Sequence, residues 1–287
     1  MPSAYTPSQQ IGASDPPLPD GPPSNAPIFR ELLNNRLYLR GSSWGQLSWN
    51  GRLRVTGSSN TVFSVTVGPI DAVMLIDAAS IARAYFTADE TALDLTHVEG
   101  APANLANDTF YYVYAWSDSA APNAVKFQIS SSPPTESGSP TVLRQWKRGQ
   151  TANYRYLGWF RTDASGVPLA MQVDRGSYLY ELPDVLATIT ASGLQSLATR
   201  IPPHITRAKL RASATRTTTT GQLFASVREA SGSGTGHYAW LVNAYSVADL
   251  TSFAATFEIL TNASQEVYVQ SGGADSSALI TVLGCQE

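Results

Sequence analysis

"YRYLGWFRTDASG", residues 154–166, is the stretch whose reading decides the fold. Read as a strand, its side chains alternate, with Tyr154, Tyr156 and Phe160 on one face and Arg155, Leu157, Trp159 and Arg161 on the other. Neither face is cleanly polar. A strand apolar on both sides lies between two layers or at a subunit interface. Gly158 suits a place where another group approaches the backbone too closely for a side chain. "TDASG" then closes as a polar turn ending in glycine. The stretch reads as the skeleton of a β-protein and not as the lip of a catalytic site.

The same two-residue period runs through the neighbouring sequence. "TVFSVTV" puts Phe63, Val65 and Val67 on one side, and "DAVMLID", "SIARAYF", "DTFYYVYAW", "AVKFQIS" and "VPLAMQV" follow suit. Clusters such as "TGSSN", "SDSAAPN" and "SSPPTESGSP" separate them as turns. A second set follows residue 204: "ITRAKLRASA", "GQLFASVREA", "HYAWLVNAYS", "SFAATFEIL", "QEVYVQS" and "ALITVLG". Short strands at close intervals predict an all-β protein of two antiparallel β-sandwich, jelly-roll-like domains, not a helix-covered parallel sheet. The boundary is expected near Pro183, giving a first sandwich over residues 51–183 and a second over 184–287. No fixed-period repeat supports a solenoid or propeller.

Residues 1–28 hold eight prolines, among them Pro16, Pro17, Pro19, Pro22 and Pro23, and few large apolar side chains. Proline fixes φ and pushes the preceding residue out of the helical region, so this segment is expected to be an extended, stiff arm. Such a chain has less backbone entropy to lose on docking, which favours an anchoring arm over an idle tail. "FRELLNNRLYLR", within residues 29–50, reads as a short helical or irregular linker.

Composition narrows the function. Charged residues make up 14% and the net charge is −3, against about 25% charged in an average protein. So weak a net charge does not steer a chain to nucleic acid or anionic membranes. The start shows no basic, then apolar, leader, so no signal peptide is expected. The longest apolar run, Phe110 to Trp116, falls far short of the roughly 20 residues of a membrane helix. The lone cysteine, Cys285, reads as a packed thiol.

The motifs that could carry chemistry are weak. "GSSWG" has the G-x-S-x-G spacing around Ser43, yet no strand–turn–helix context follows it. His97, His204 and His237 stand at no metal-ligand spacing. "TADETALDL", with Asp89, Glu90 and Asp94, lacks the pattern of a calcium loop and reads as a solvated loop. "GSGTG", Gly232 to Gly236, is a hairpin loop without the helix and lysine of a phosphate cradle. A glycan-cleaving pair needs two carboxylates about 5 to 10 Å apart, and from Val185 to Arg228 there is no Asp or Glu. No catalytic, cofactor or metal residue is therefore expected. In that acid-free stretch Arg207, Lys209 and Arg211 alternate with Ala208, Leu210 and Ala212. A strand there offers a row of cations to solvent, a neighbouring subunit or an anionic ligand.

"DTFYYVYAW", followed further on by "YRYLGWFRTDASG" and an apolar strand, resembles a module of tailed-phage tail-fibre, tail-spike and head-fibre proteins. "QEVYVQSGGADSSALITVLG" is similar to the end of such fibre proteins, and gene-transfer-agent spikes are a related setting. The resemblance spans residues 50–287 through short structural motifs. It implies a β-rich, usually trimeric component of a virion assembled in the host cytoplasm, attached through its N-terminal segment to a capsid or tail protein and sometimes contacting host-surface polysaccharide. It carries over no catalytic residue. The expected function is a non-enzymatic fibre, spike or capsid decoration protein, without nucleic-acid binding or membrane insertion. A polysaccharide-degrading spike and a free carbohydrate-binding module are the alternatives.

Overall fold

The computed structural model describes residues 52–68, 70–76, 82–87, 89–118, 121–136, 146–148, 154–174, 176–189, 192–216, 223–230, 238–244, 252–271 and 276–286. The arm over residues 1–28, with Pro16, Pro17, Pro19, Pro22 and Pro23, and the linker over 29–50 lie outside them. Every regular element described is a strand, apart from one 3-10 turn over Leu95–His97. The all-β expectation holds, and every strand-to-strand pairing is antiparallel.

The largest sheet has eight strands. In spatial order they are β17 (Ser252–Leu260), β14 (Arg207–Arg216), β19 (Ser276–Gln286), β12 (Ser177–Ile189), β11 (Met171–Asp174), β1 (Arg52–Gly57), β2 (Phe63–Val67) and β5 (Thr91–Leu93). One side of this sheet is apolar. Leu53 and Val55 on β1, Val65 on β2, Met171 on β11, Ala208 and Leu210 on β14 and Ile280 on β19 are all buried, while their neighbours in sequence face water. This one-in, one-out alternation is what an antiparallel sheet with a single covered face requires.

Two smaller sheets cover that face side by side. A three-stranded sheet of β10 (Arg155–Arg161), β6 (Phe110–Asp118) and β7 (Ala121–Ser130) meets the β12–β11–β1–β2 end. There Trp159 stacks on Tyr178 at 5.0 Å between ring centres, and Phe160 meets Phe63 at 6.2 Å. A four-stranded sheet of β13 (Gly193–Ser196), β18 (Glu266–Ser271), β15 (Leu223–Glu229) and β16 (Tyr238–Ala244) lies against β14, β19 and β17. Two hairpins, β3 (Ile70–Ile76) with β4 (Ala82–Thr87) and β8 (Pro134–Glu136) with β9 (Trp146–Arg148), complete the paired strands.

The boundary expected near Pro183 falls inside β12. Pairing of β12 with β19 loses register between Leu179 and Asp184. Proline has no N–H to give, and an interrupted ladder is where a strand tolerates it. The eight-stranded sheet thus takes strands from both 51–183 and 184–287.

The opening stretch is buried along all of β10. Its faces differ from simple alternation, because a bulge at Leu157 shifts the register between Tyr156 and Gly158. Tyr156 pairs with Tyr114 and Trp159 with Tyr112, so Trp159 joins the tyrosine side and Phe160 moves to the other. Gly158 has the close approach foreseen: a Cβ there would stand 2.5 Å from Leu53 Cδ1 and 3.1 Å from Tyr178 Oη. The "TDASG" turn closes when the Asp163 carboxylate accepts hydrogen bonds from the backbone N–H of Ser165 (2.8 Å) and Val167 (2.9 Å).

Candidate functional site

The uncovered face of the eight-stranded sheet carries the side chains open to a partner. On β14, Ala208, Leu210, Ala212 and Ala214 are fully buried, which turns Arg207, Lys209 and Arg211 together to the other side. Lys209 stands opposite Glu258 of β17, and Arg207 Nη1 lies 3.8 Å from Glu258 Oε2. Arg211 has Thr256 and Thr281 as its cross-strand neighbours. The row is therefore a mixed cation–carboxylate surface at one end and a lone guanidinium flanked by threonines at the other.

Further along the same face lies a cleft of about 470 Å³ that alternation alone did not single out. Its walls are Arg52 and Arg54 from β1, Thr66 from β2, Gln172 and Asp174 from β11, and Glu90, over a floor of Leu53, Gly68 and Val173. Arg52 Nε is 3.9 Å from Asp174 Oδ1, and Arg54 Nε is 4.0 Å from Glu181 Oε1. Gln172 Nε2 donates to the same Glu181 oxygen at 3.4 Å. These pairs sit in open water, where such contacts contribute about 0–1 kcal/mol. Their hydrogen-bonding groups remain exchangeable with a polar ligand. The signal in the sequence is the short alternation "RLR" at 52–54 and "MQVD" at 171–174.

Strand register joins the two places. Thr66, Arg54, Gln172, Leu179, Gly284, Lys209 and Glu258 form one line of cross-strand neighbours over seven strands. The structure thus brings Lys209 and the cleft onto one row of one face.

Inside the molecule a chain of phenols ends at a histidine. Tyr156 Oη lies 3.3 Å from Tyr178 Oη and 3.2 Å from His204 Nε2. The Tyr112 ring stands 5.8 Å from the His204 ring, and burial pushes the Tyr112 phenol up to about 12. Tyr180 Oη donates to the Arg200 carbonyl at 2.5 Å, and Gln265 Nε2 donates to the carbonyls of Ile201 (2.9 Å) and Pro202 (2.6 Å). Each bond ties the crossing segment at 197–205 to a strand end. Buried polar atoms so paired act as stitching in an apolar core.

The remaining sequence candidates separate. Asp94 caps the 3-10 turn by accepting from the Thr96 N–H at 2.9 Å, while His97 Nδ1 lies 3.0 Å from its carboxylate. Hydrogen bonds from Thr96 and His97 hold the Asp94 carboxyl below its usual range. Glu90 lines the cleft and Asp89 is exposed. Cys285 is buried. Ser43, His237 and the loop from Gly232 to Gly236 lie outside the described residues. Among the described residues no three His, Cys, Asp or Glu side chains gather as a metal site, and no helix is long and apolar enough to cross a membrane.

The fold and this face define the chain as an all-β protein built on one open-faced antiparallel sheet. No family model matches it, and neither does any curated protein. Among solved structures, a chain of infectious bursal disease virus, Gx strain, is similar over 81% of this chain and 67% of its own length, at 11% identity and a TM-score of 0.16. A likeness at that score carries no argument about shape or activity.

Proposed function

We propose that this chain is a non-enzymatic structural component of a phage or phage-like particle: a fibre, spike or decoration protein. It is anchored by residues 1–28 to a capsid or tail protein, assembles with further copies of itself, expected as a trimer, and displays its sheets outward. The observation that carries this reading is the uncovered face of the eight-stranded sheet. It interleaves Arg52, Arg54, Lys209, Asp174 and Glu258 with the exposed Leu179, Leu260 and Leu279, a surface suited to contact with another macromolecule. The low charge content and the proline-rich arm support it. Gold-labelled antibody against the chain should decorate purified particles from its source. Deleting residues 1–28 should leave a folded protein with an unchanged number of chains that no longer joins them. A label found only on free protein would sink the proposal.

The cleft favours host-surface polysaccharide as the outward contact of such a protein, through hydrogen bonds donated by Arg54 and Gln172 and accepted by Asp174. Arg54→Ala with Gln172→Ala should weaken adsorption to host cells without changing particle incorporation. Equal adsorption would remove the cleft from that role.

A further inference from the structure

The two edges of the eight-stranded sheet are finished differently. At one edge β5 is three residues long and runs directly into the Asp94-capped turn. At the other, β17 is nine residues long, "SFAATFEIL", and holds register with β14 without a shift from Ser252 opposite Thr215 to Leu260 opposite Arg207. It contains no proline, lysine or arginine and has one charge, Glu258. Phe253 is 42% and Leu260 45% exposed. Long, straight, apolar edges invite another strand, and proteins that must stay single blunt them with bulges, lysines or prolines. β17 has none of these devices, and among the described residues it pairs with β14 alone.

The direction of its free groups follows from one bond. The Thr261 N–H donates to the Thr206 carbonyl at 2.8 Å, one step beyond the Arg207–Leu260 pair. Because antiparallel ladders alternate, Phe253, Ala255, Phe257 and Ile259 spend their N–H and C=O groups on β14. Those of Ser252, Ala254, Thr256, Glu258 and Leu260 point to the open side.

We infer that β17 is a docking edge for a second copy of this chain, paired antiparallel to itself about a two-fold axis at Thr256. That register uses all nine residues. It sets Phe253 against Ile259 of the second copy, Ala255 against Phe257, Ala254 against Glu258 and Thr256 against its own equivalent. An aromatic ring faces a β-branched side chain, a favoured cross-strand pair, and no like charges meet. A two-fold contact is isologous and closes on itself. Combined with the three-fold axis of the proposed trimer it joins two trimers edge to edge, six chains in all, and any closed assembly built with it holds an even number.

The test is the native mass of the full chain by light scattering, for the wild type and three variants. Thr256→Lys sets two ammonium groups face to face at the axis. Thr256→Pro removes an N–H that β14 does not use, and Thr56→Lys adds the same charge on exposed β1. The wild type should contain an even number of chains. Both Thr256 variants should halve that number with circular dichroism unchanged, and Thr56→Lys should leave it as it is. Thr256→Cys should cross-link to itself under oxidation, since Cα atoms in such a pair lie about 5.5 Å apart, within disulfide reach. An odd number of chains, a mass indifferent to both Thr256 variants, or an uncross-linked Thr256→Cys overturns the inference. So does a monomeric wild type whose amides at 254, 256 and 258 exchange slowly, which would place a segment of the same chain on the edge. Labelling of particles is independent of every one of these outcomes, so the two proposals fail separately.

Discussion

The eight-stranded sheet is roofed at one end by rings and at the other by small aliphatic groups. Over β1, β2 and β12 the buried residues include Tyr111, Tyr112, Tyr114, Tyr156, Trp159 and Phe160. Tyr111 stacks on Phe160 at 5.4 Å, and Phe110 meets Trp159 edge-on at 5.5 Å. Over β14 and β19 the roof and floor are Ala212, Ala214, Ala225, Val227, Val269 and Ile280. The ring end buries much area per residue but brings polar handles that must be housed. It houses most through the Tyr178–Tyr156–His204 chain and leaves Trp159 Nε1 buried without a hydrogen-bond partner. The aliphatic end carries fewer such obligations, with Ser226 Oγ its buried unpartnered hydroxyl. The lesson is that one sheet supports two core chemistries: one is sensitive to losing atoms, the other to gaining them.

The seam between the ends gives the severest test. A Cβ on Gly284 of β19 would overlap the Tyr178 carbonyl oxygen of β12, a backbone atom with no rotamer to escape into. Gly284→Ala should cost about 4 kcal/mol or more, or prevent folding, as read from urea unfolding and soluble yield. A mild effect would show that the two ends can shift independently. Next comes the contrast itself. Trp159→Ala should lose about 3–5 kcal/mol, whereas Ile280→Val should lose about 0.5–1.5 kcal/mol. Ala212→Leu should destabilise by about 1–3 kcal/mol through overpacking. Chemical denaturation of the three variants compares them directly, and an Ala212→Leu that stabilises the protein would break the idea of a tight aliphatic end.

Alkaline pH should separate the ends more gently. The buried tyrosines lie at the ring end, and the Tyr112 phenol titrates at about 12 instead of 10.0 because burial disfavours its charged form. Below pH 10 the phenol is neutral in both folded and unfolded chains and costs nothing. Between 10 and 12 the unfolded chain ionises first, so stability falls, by about 1 kcal/mol at pH 11. Tyr112→Phe should flatten that part of the stability–pH curve, and an unchanged slope would assign the loss to another group. The smallest effect belongs to the turn after β5. Asp94→Ala removes its cap, costing no more than about 1 kcal/mol at neutral pH. The Asp94 carboxyl is held below its usual range, so its contribution is present above that range and disappears as pH falls through the lowered value. Wild type and variant should therefore converge in stability in strong acid.

Much of this was legible in residue alternation. Phe63, Val65 and Val67 face inward as the period demands, and the "RAKLRASA" run turns its cations outward. Gly158 announced a tight contact. What alternation could not show was the bulge at Leu157, which costs one residue of register and moves Trp159 to the other face. Nor could it show that a strand interrupted at Pro183 continues through both halves. Local sequence reports which side of a strand is wet, whereas pairing depends on residues more than a hundred positions away, as with Leu53 and Val173. The cleft was hidden for the same reason, since Arg54, Gln172 and Glu90 come from three separate segments.

The position of β19 has a consequence for how the chain matures. It is the latest of the described strands to leave the ribosome, yet it lies between β12 and β14 in the interior of the great sheet. Until it is delivered, β12 and β14 are two raw edges with nothing between them. Nascent chains stalled short of residue 276 would expose both, and exposed strand edges are what aggregation and chaperones recognise. Closure of the eight-stranded sheet thus waits on β19, whose insertion removes both of those edges in one step.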